Sequence, residues 1–288
     1  MPSEHESQCC GARVRIKDGK IEVLTKPRIK HCPLHESLYN VEGGITRETV
    51  RKTMEIKMAK YGFCCRHRVF DDTVVVPYGS SEIIKTCLEQ SLLDAAVTVC
   101  DGAGTVITAN PSLVQGIGAH MTGLIKTSPI KEVIDFVESH DGIVLDKNSA
   151  EIDQERGVEL AAKLGFKRVA VSVASFQAEV IGRIRRLEKA LGVKAAIFSV
   201  CNTCASQVDV KHILKADIVC ASASKILRKK VAPKALLQVG VAIPVFALTP
   251  LGKRLVLVYL VNFNDKLVIF RSSKLPYQAK GRGPTLNL

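Results

Sequence analysis

The feature that most constrains the fold of this chain is the alternation of short apolar segments with longer amphipathic segments from about residue 92 onward. Residues 95–100, 168–173 and 195–200 have the length and composition of buried strands, and residues 151–164 and 176–191 between them have helical periodicity. Strands separated by crossover helices form parallel sheets. We therefore predict an α/β fold with a predominantly parallel sheet and flanking helices, in a Rossmann-like, three-layer arrangement. A flavodoxin-like strand order and a more elaborate mixed sheet both fit this pattern.

The N-terminal part of the chain has a different pattern of apolar and turn-forming residues. Apolar residues alternate around Asp18-Gly19, a pair that is typical of two-residue hairpin turns. Further along, Thr46 can cap a helix that runs to about Tyr61, where Gly62 can end it. This part of the sequence therefore predicts a hairpin followed by a helix.

These two residue patterns predict two domains. We expect residues 1–80 to form a small module rich in cysteine and histidine, and residues 81–288 to form the α/β domain. Near the C-terminus, the apolar residues 256–261 and 267–270 flank a turn-forming pair and predict a second hairpin that adds antiparallel strands. We expect an extended tail to follow it.

Neither a membrane span nor a signal peptide is expected. The most apolar stretch, residues 235–252, has no charge but carries Pro244 and Pro250. A spanning helix needs about 20 apolar residues, so buried strands are the better interpretation. The first residues are acidic and polar, unlike a signal peptide. We therefore expect a cytoplasmic protein with reduced thiols.

Nine of the ten cysteines fall into two groups. In the first group, Cys9, Cys10 and Cys32 flank the first hairpin, while Cys64 and Cys65 follow the predicted helix. Thiolates and imidazoles that converge from loops can bind zinc or an iron–sulfur cluster. The spacing is not that of a standard zinc finger. Since adjacent cysteines rarely bind one metal together, we expect one ligand from each pair. Thiols without a metal are the alternative.

The imidazoles near this group belong to His31 and His35. The candidate ligands of the first group are accordingly Cys10, Cys32, and one of Cys64 and Cys65.

The second group of cysteines lies at the carboxyl ends of predicted strands. Cys201 and Cys204 form a CxxC motif between a strand and a helix, and both are candidate metal ligands. Cys100 and Cys220 end two other strands, and we interpret these two as small core residues. In open α/β sheets the ligand crevice lies outside these strand ends. Four sulfurs could therefore face one crevice.

Glycine-rich segments suggest where an anion could bind. The segment 101–104 (DGAG) follows a strand, and the segment 115–118 (QGIG) would let a ligand approach the backbone closely. Neither segment is a P-loop or a GxGxxG motif, and a tight hairpin turn fits the first equally well. The candidate cofactor-binding residues are Asp101, Gly102, Gly104, Asn110, Gln115, Gly116 and Gly118. The motifs of known catalytic sites do not occur, so the sequence names no reaction.

The formal net charge of +13 invites a nucleic-acid interpretation. Most of the excess basic residues lie in residues 165–288, whereas residues 81–164 are acidic overall. Helix-turn-helix, RNA-recognition and zinc-finger spacings are missing, which disfavours nucleic acid as a partner. A polarised docking surface and a solvated face remain as interpretations.

Several segments together resemble the methanogenesis marker protein 8 family, over about residues 13–257. They are residues 26–33 (KPRIKHCP), 100–107 (CDGAGTVI), 110–118 (NPSLVQGIG), 127–130 (TSPI) and 243–249 (IPVFALT). That family tracks genomes that encode methyl-coenzyme M reductase, with exceptions. The resemblance implies a cytoplasmic, anaerobic setting close to methanogenesis, and it implies no catalytic residues.

The leading hypothesis is an accessory metalloprotein that holds iron–sulfur or zinc. It would support maturation, activation or cofactor handling of methyl-coenzyme M reductase through a protein contact. One alternative is an α/β enzyme that binds a phosphorylated or coenzyme-like anion at the strand carboxyl ends. Another is a basic scaffold that binds an acidic protein or nucleic acid.

Overall fold

The structure is a computed structural model that describes residues 3–40, 44–73, 75–278 and 285–286. The strands are β1 (Glu4–Cys9), β2 (Ala12–Lys17), β3 (Lys20–Val23), β4 (Ile29–His31), β5 (Ala95–Cys100), β6 (Gly104–Thr108), β7 (Gly123–Lys126), β8 (Gly142–Val144), β9 (Arg168–Ala174), β10 (Lys194–Val200), β11 (Ile218–Cys220), β12 (Leu237–Val239), β13 (Val245–Ala247) and β14 (Thr285–Leu286).

The helices lie mostly between the strands of the second half. They are α1 (Pro33–Tyr39), α2 (Arg47–Tyr61), α3 (Ser80–Glu89), α4 (Pro111–Gly118), α5 (Lys131–Ser139), α6 (Gln154–Lys163), α7 (Glu179–Leu191), α8 (Gln207–Ile213), α9 (Lys225–Lys230) and α10 (Pro250–Val261), with 3-10 turns at Ser175–Gln177, Asn202–Cys204 and Ala232–Lys234.

The largest sheet has eight strands in the order β12-β13-β11-β10-β9-β5-β6-β8. Its four central strands, β11, β10, β9 and β5, are parallel, as the strand–helix alternation predicts. Antiparallel strands extend the sheet at both edges, so the sheet is the mixed type rather than the flavodoxin type. Helices α6, α7 and α8 bury one face, and α3 and α10 bury the other. Because the four central strands are parallel, their carboxyl ends all lie on the same side of the sheet.

The predicted second hairpin is wrong. Val256 to Val261 belong to α10, whose N-cap Thr249 accepts a hydrogen bond from the amide of Gly252. Pro250 occupies the first turn, where its missing N–H costs nothing. Residues 267–270 form no strand, and the antiparallel strands near the C-terminus are β12 and β13 instead. Much of the predicted tail, residues 279–284 and 287–288, lies outside the described residues.

The N-terminal hairpin and helix are confirmed. Strands β2 and β3 pair around Asp18-Gly19, and α2 is capped by Thr46 and ends at Gly62 in the left-handed conformation. A four-stranded sheet forms in the order β3-β2-β1-β7, so β1 pairs with a strand from beyond the N-terminal module. The division of the chain near residue 80 stays a prediction.

The two main sheets meet at the carboxyl ends of the central strands. The core between β1, β2 and α2 also contains Val99 from the end of β5 and Ala223 from the loop after β11. Within the described ranges, no helix combines the length and apolar composition needed to cross a bilayer. The contact between the two sheets brings Cys9 and Cys10 to the strand ends of the larger sheet.

Candidate metal centre

The tightest turn of the N-terminal sheet carries two adjacent thiols. Strand β1 ends at Cys9 and β2 begins at Ala12, so Cys10 and Gly11 form a two-residue turn. Both turn residues have positive φ, 51° at Cys10 and 80° at Gly11. Such turns favour Asn-Gly or Asp-Gly, and a cysteine at a left-handed position is a strained choice that often marks a functional site.

His35 completes a group of three ligand atoms. The Sγ atoms of Cys9 and Cys10 and a ring nitrogen of His35 all lie within 4.8 Å of one another. The Nε2 atom of His35 lies 2.7 Å from the Thr53 hydroxyl, which itself donates to the carbonyl of Thr49. Since the Thr53 proton is already used, Nε2–H must donate, and Nδ1 carries a lone pair. No hydrogen bond of ordinary geometry reaches Nδ1 among the described residues, but the ring interacts with the Cys9 thiol and lowers the pKa of that thiol.

This arrangement of His35 matches a common pattern for metal-binding histidines, in which the distal ring N–H is held by a hydrogen bond. The bond to Thr53 fixes both the tautomer and the ring orientation before a ligand arrives. The three atoms therefore offer two sulfurs and one nitrogen in a preformed cluster, which we call the thiol–imidazole cluster (Cys9, Cys10, His35).

The electrostatics of the cluster favour a thiolate. A hydrogen bond from Cys10 lowers the pKa of Cys9 well below its usual range, and the same bond, with burial, raises the pKa of Cys10. The charge of Lys57 favours the thiolate form of both cysteines. Burial lowers the pKa of Lys57 to about 8, while its Nζ donates to the carbonyl of His120 at 2.6 Å. Thiolate is the form of cysteine that binds metals.

The structure places the other predicted ligands of the first group around this cluster but outside it. Cys32 is the N-cap residue of α1, and its charge adds to the causes that raise the pKa of Cys10. Cys64, with φ of 58°, is buried and its amide donates to Asp101. Cys65 is half-buried, and its thiol donates to the carbonyl of Phe63 at 3.4 Å.

The two thiols of the CxxC motif point to different places. The thiol of Cys204 donates to the carbonyl of Gly11 at 3.6 Å, so it contacts the turn that carries Cys10. Cys201, with φ of 52°, lines a crevice at the strand ends, and burial raises its pKa to about 11. Cys100 is fully buried, as its interpretation as a core residue expects, whereas Cys220 is only partly buried against the core.

The comparisons with known proteins place the chain in a family. A family model described as "Uncharacterized protein conserved in archaea" matches residues 5–260. The "Uncharacterized protein MJ0054" of Methanocaldococcus jannaschii is 39% identical over 249 residues, which cover 85% of this chain and 86% of the relative. The chain belongs to this archaeal family. The matched range of this family member includes the whole thiol–imidazole cluster and every cysteine of the chain.

In this archaeal protein, sequence reasoning missed Cys9 and His35 as partners of Cys10. The expectation that each adjacent pair supplies one ligand selects Cys10 and excludes Cys9. The signal that the sequence does offer is the pair of imidazoles, His31 and His35, on either side of Cys32. Only His35 joins the cluster, and the Nε2 atom of His31 instead lies 3.0 Å from the carboxylate of Glu36.

The glycine-rich candidates for anion binding lie elsewhere. The segment 101–104 forms the turn between the antiparallel strands β5 and β6, so the interpretation as a tight hairpin turn is confirmed. The Asp101 carboxylate is buried and accepts from Arg68 Nε at 3.0 Å and from the Cys64 amide at 2.6 Å. The Gly102 amide donates to Thr127, and Gly104 lies tightly against the backbone after β8. Anion binding by these residues stays a prediction.

The remaining candidates belong to helix α4 or cap its N-terminus. Asn110 caps the helix by accepting from the Leu113 amide. The Gln115 side chain donates to Glu82 and to the carbonyl of Thr73, while its Oε1 has no partner among the described residues. Gly116 and Gly118 pack closely against Phe70 and Ser81, respectively. These contacts hold the four residues in the packing around α4 rather than at the thiol–imidazole cluster.

A small crevice lies at the carboxyl ends of the central strands, as open α/β sheets predict. It has a volume of about 140 Å³ and is lined by Thr98, Thr122, Gln154, Ser172 and Cys201, among others. Gln154 Oε1 and Thr122 Oγ1 have no hydrogen-bond partner among the described side chains. Apolar side chains such as Met121, Leu124 and Val200 line the rest of it. The described lining of the crevice therefore has no charged residue, and the crevice is too small for a nucleotide-sized cofactor.

Proposed function

We propose that this chain is an accessory metalloprotein whose metal is held by the thiol–imidazole cluster. The observation that carries the proposal is the convergence of the Cys9 and Cys10 sulfurs and a His35 nitrogen within 4.8 Å. Two further features support it, namely the lone pair that the bond to Thr53 leaves on Nδ1 of His35 and the lowered pKa of Cys9. A bound cation would replace the proton that the two thiols share.

The spacing favours a single ion such as zinc over an iron–sulfur cluster. Zinc bonds of about 2.3 Å to sulfur and about 2.0 Å to nitrogen, at tetrahedral angles, separate ligand atoms by about 3.5–3.8 Å. The three ligand atoms of the cluster lie within 4.8 Å of one another, a range that includes this separation. An iron–sulfur cluster spreads its thiolates over several iron atoms and needs a wider arrangement. Cys32 is a candidate for a fourth ligand, since its charge acts on Cys10.

Metal analysis of the purified protein tests this proposal directly. Protein purified without oxygen should contain about one zinc per chain and should lack the visible absorption of an iron–sulfur cluster. Elemental analysis, sulfide determination and an absorption spectrum make the measurement. If the protein instead contains iron and sulfide in equal amounts, the bound group is an iron–sulfur cluster and not zinc. Protein that contains no metal, and takes up neither zinc nor iron on reconstitution, would contradict the proposal.

We further propose that the metalloprotein acts in the cytoplasm, in support of methyl-coenzyme M reductase. The support is the resemblance of the segments at residues 26–33, 100–107, 110–118, 127–130 and 243–249 to the methanogenesis marker protein 8 family. The role would be maturation, activation or cofactor handling, through contact with a protein of the reductase system.

A complementation experiment tests this role. In a methanogen that lacks this chain, we expect reductase activity in extracts to fall, and the wild-type chain to restore it. The His35→Ala variant should restore it poorly, because its metal site lacks a ligand. Variant abundance must match wild type for the comparison to count. Equal reductase activity with and without the chain would remove this part of the proposal and leave the metal site untouched.

A further inference from the structure

A large basic cleft lies beside the thiol–imidazole cluster. It has a volume of about 1030 Å³ and opens between the segment before β4, the start of α2, and the loops that follow β10 and β11. Four cations from three of these regions line it, and the hydroxyl of Thr203 lies among them. The cations are Lys26, Arg28, Arg47 and Lys225.

The charge of this cleft is unbalanced. None of its described lining residues is acidic. Elsewhere in the molecule, exposed arginines and lysines commonly pair with carboxylates, but none of these four forms an ion pair within the described parts of the chain. Arg47 bonds only weakly to a carbonyl, that of Leu24, at 3.4 Å. Like charges that line one concave surface create a positive potential, which concentrates anions.

The cleft and the turn that carries Cys10 share a wall. Thr203 and Ala205 line the cleft, and Cys204 between them bonds to the carbonyl of Gly11. On the other side, the amide of Arg28 donates to the carbonyl of Cys10 at 3.1 Å. A ligand in the cleft would therefore lie against the backbone that positions the two thiols.

We propose that this cleft binds a small molecule that carries phosphate groups. Its volume matches that of small-molecule sites, and arginine and lysine at several points match an anion with more than one charge. Single-stranded nucleic acid fits less well, because no aromatic residue lines the described part of the cleft for base stacking. The site goes beyond the proposed metal centre, because its binding groups are cations and hydroxyls rather than thiols.

Calorimetric titration with pyrophosphate at low salt tests the proposal. We expect saturable binding to the wild-type protein, which weakens as salt is added. The Arg28→Gln/Lys225→Gln double variant should bind at least about tenfold more weakly, because two of four cations are lost. The matched control is Lys163→Gln, which removes a lysine of α6 that does not line the cleft and should bind like the wild type. Pyrophosphate that does not bind the wild type, or binds the double variant as tightly as the control, overturns the proposal.

Two further titrations distinguish this site from the metal centre and from a nucleic-acid surface. The His35→Ala variant should still bind pyrophosphate, so a failure of the metal proposal and a failure of the cleft proposal give different results. A short single-stranded RNA serves as the competing ligand. If RNA binds more tightly than pyrophosphate, and the double variant loses that binding, the cleft is a nucleic-acid surface and the small-molecule proposal is wrong.

Discussion

The Asp101→Asn variant is expected to unfold at a temperature about 6–10 °C below that of the wild type. Asp101 and Arg68 form an ion pair whose side chains are 0% and 1% exposed. Removing one partner of a buried pair leaves the other charge uncompensated and costs about 3–5 kcal/mol. At about 2 °C per kcal/mol, appropriate to a long chain, this cost gives the expected shift. Thermal unfolding followed by circular dichroism measures it.

The geometry explains why this pair matters more than the others. Arg68 follows α2, whereas Asp101 follows β5, so the pair joins the segment after α2 to the large sheet. Arg68 also donates to the carbonyls of Gly116 and Ile117, and these two bonds hold its guanidinium in the buried position. In the variant this charge remains, and only the carboxylate is lost.

Two other variants make the test specific. Asp135→Asn removes a carboxylate from an exposed pair with Lys131 on one helix turn and should leave the unfolding temperature unchanged. The Arg68→Met/Asp101→Asn double variant should be more stable than Asp101→Asn alone, because no uncompensated charge remains. If Asp101→Asn unfolds at the same temperature as the wild type, the Arg68–Asp101 ion pair does not hold the segment after α2 to the large sheet as proposed.

Local patterns were enough to predict the parallel centre of the large sheet. Strand length and helix periodicity are set within about ten residues, and the consecutive strands β9, β10 and β11 are neighbours. The same reasoning failed for residues 256–261, since a short apolar run fits a strand and a buried helix equally well. Thr249-Pro250, a cap followed by a first-turn proline, was the signal that could have decided for a helix.

The candidate site was less predictable because its members are brought together by tertiary contacts. His35 is held toward Cys9 by a bond from its ring to Thr53 on α2, 18 positions along the chain. The sequence indicates which residue types can bind a metal but not which of ten thiols meet. The same limit applies to Asp101, whose partner Arg68 lies 33 positions away and gives no local signal. The glycines of residues 101–104 do predict a turn, but a hairpin and an anion-binding loop use the same residues.

Substitution of the thiol–imidazole cluster has the second large expected effect. Cys9→Ala and His35→Ala should each reduce bound zinc from about one per chain to nearly none. Each variant leaves two ligands of the cluster, and structural zinc is almost always bound by four. Elemental analysis of protein purified without oxygen makes the measurement. Cys87→Ala is the matched control, because Cys87 is also a buried thiol with a backbone acceptor, but it lies in the α3–α10 core.

Metal removal then distinguishes a metal site from a packed group of thiols. A metal that binds only the folded chain stabilises it by an amount that grows with the logarithm of metal concentration over Kd. A chelator should therefore lower the unfolding temperature of the wild type and of Cys87→Ala, and zinc should restore it. His35→Ala should show neither response, because its affinity is too weak for the zinc supplied. If the chelator changes none of the three proteins, or destabilises His35→Ala as much as the wild type, the stabilising metal is not held by Cys9, Cys10 and His35.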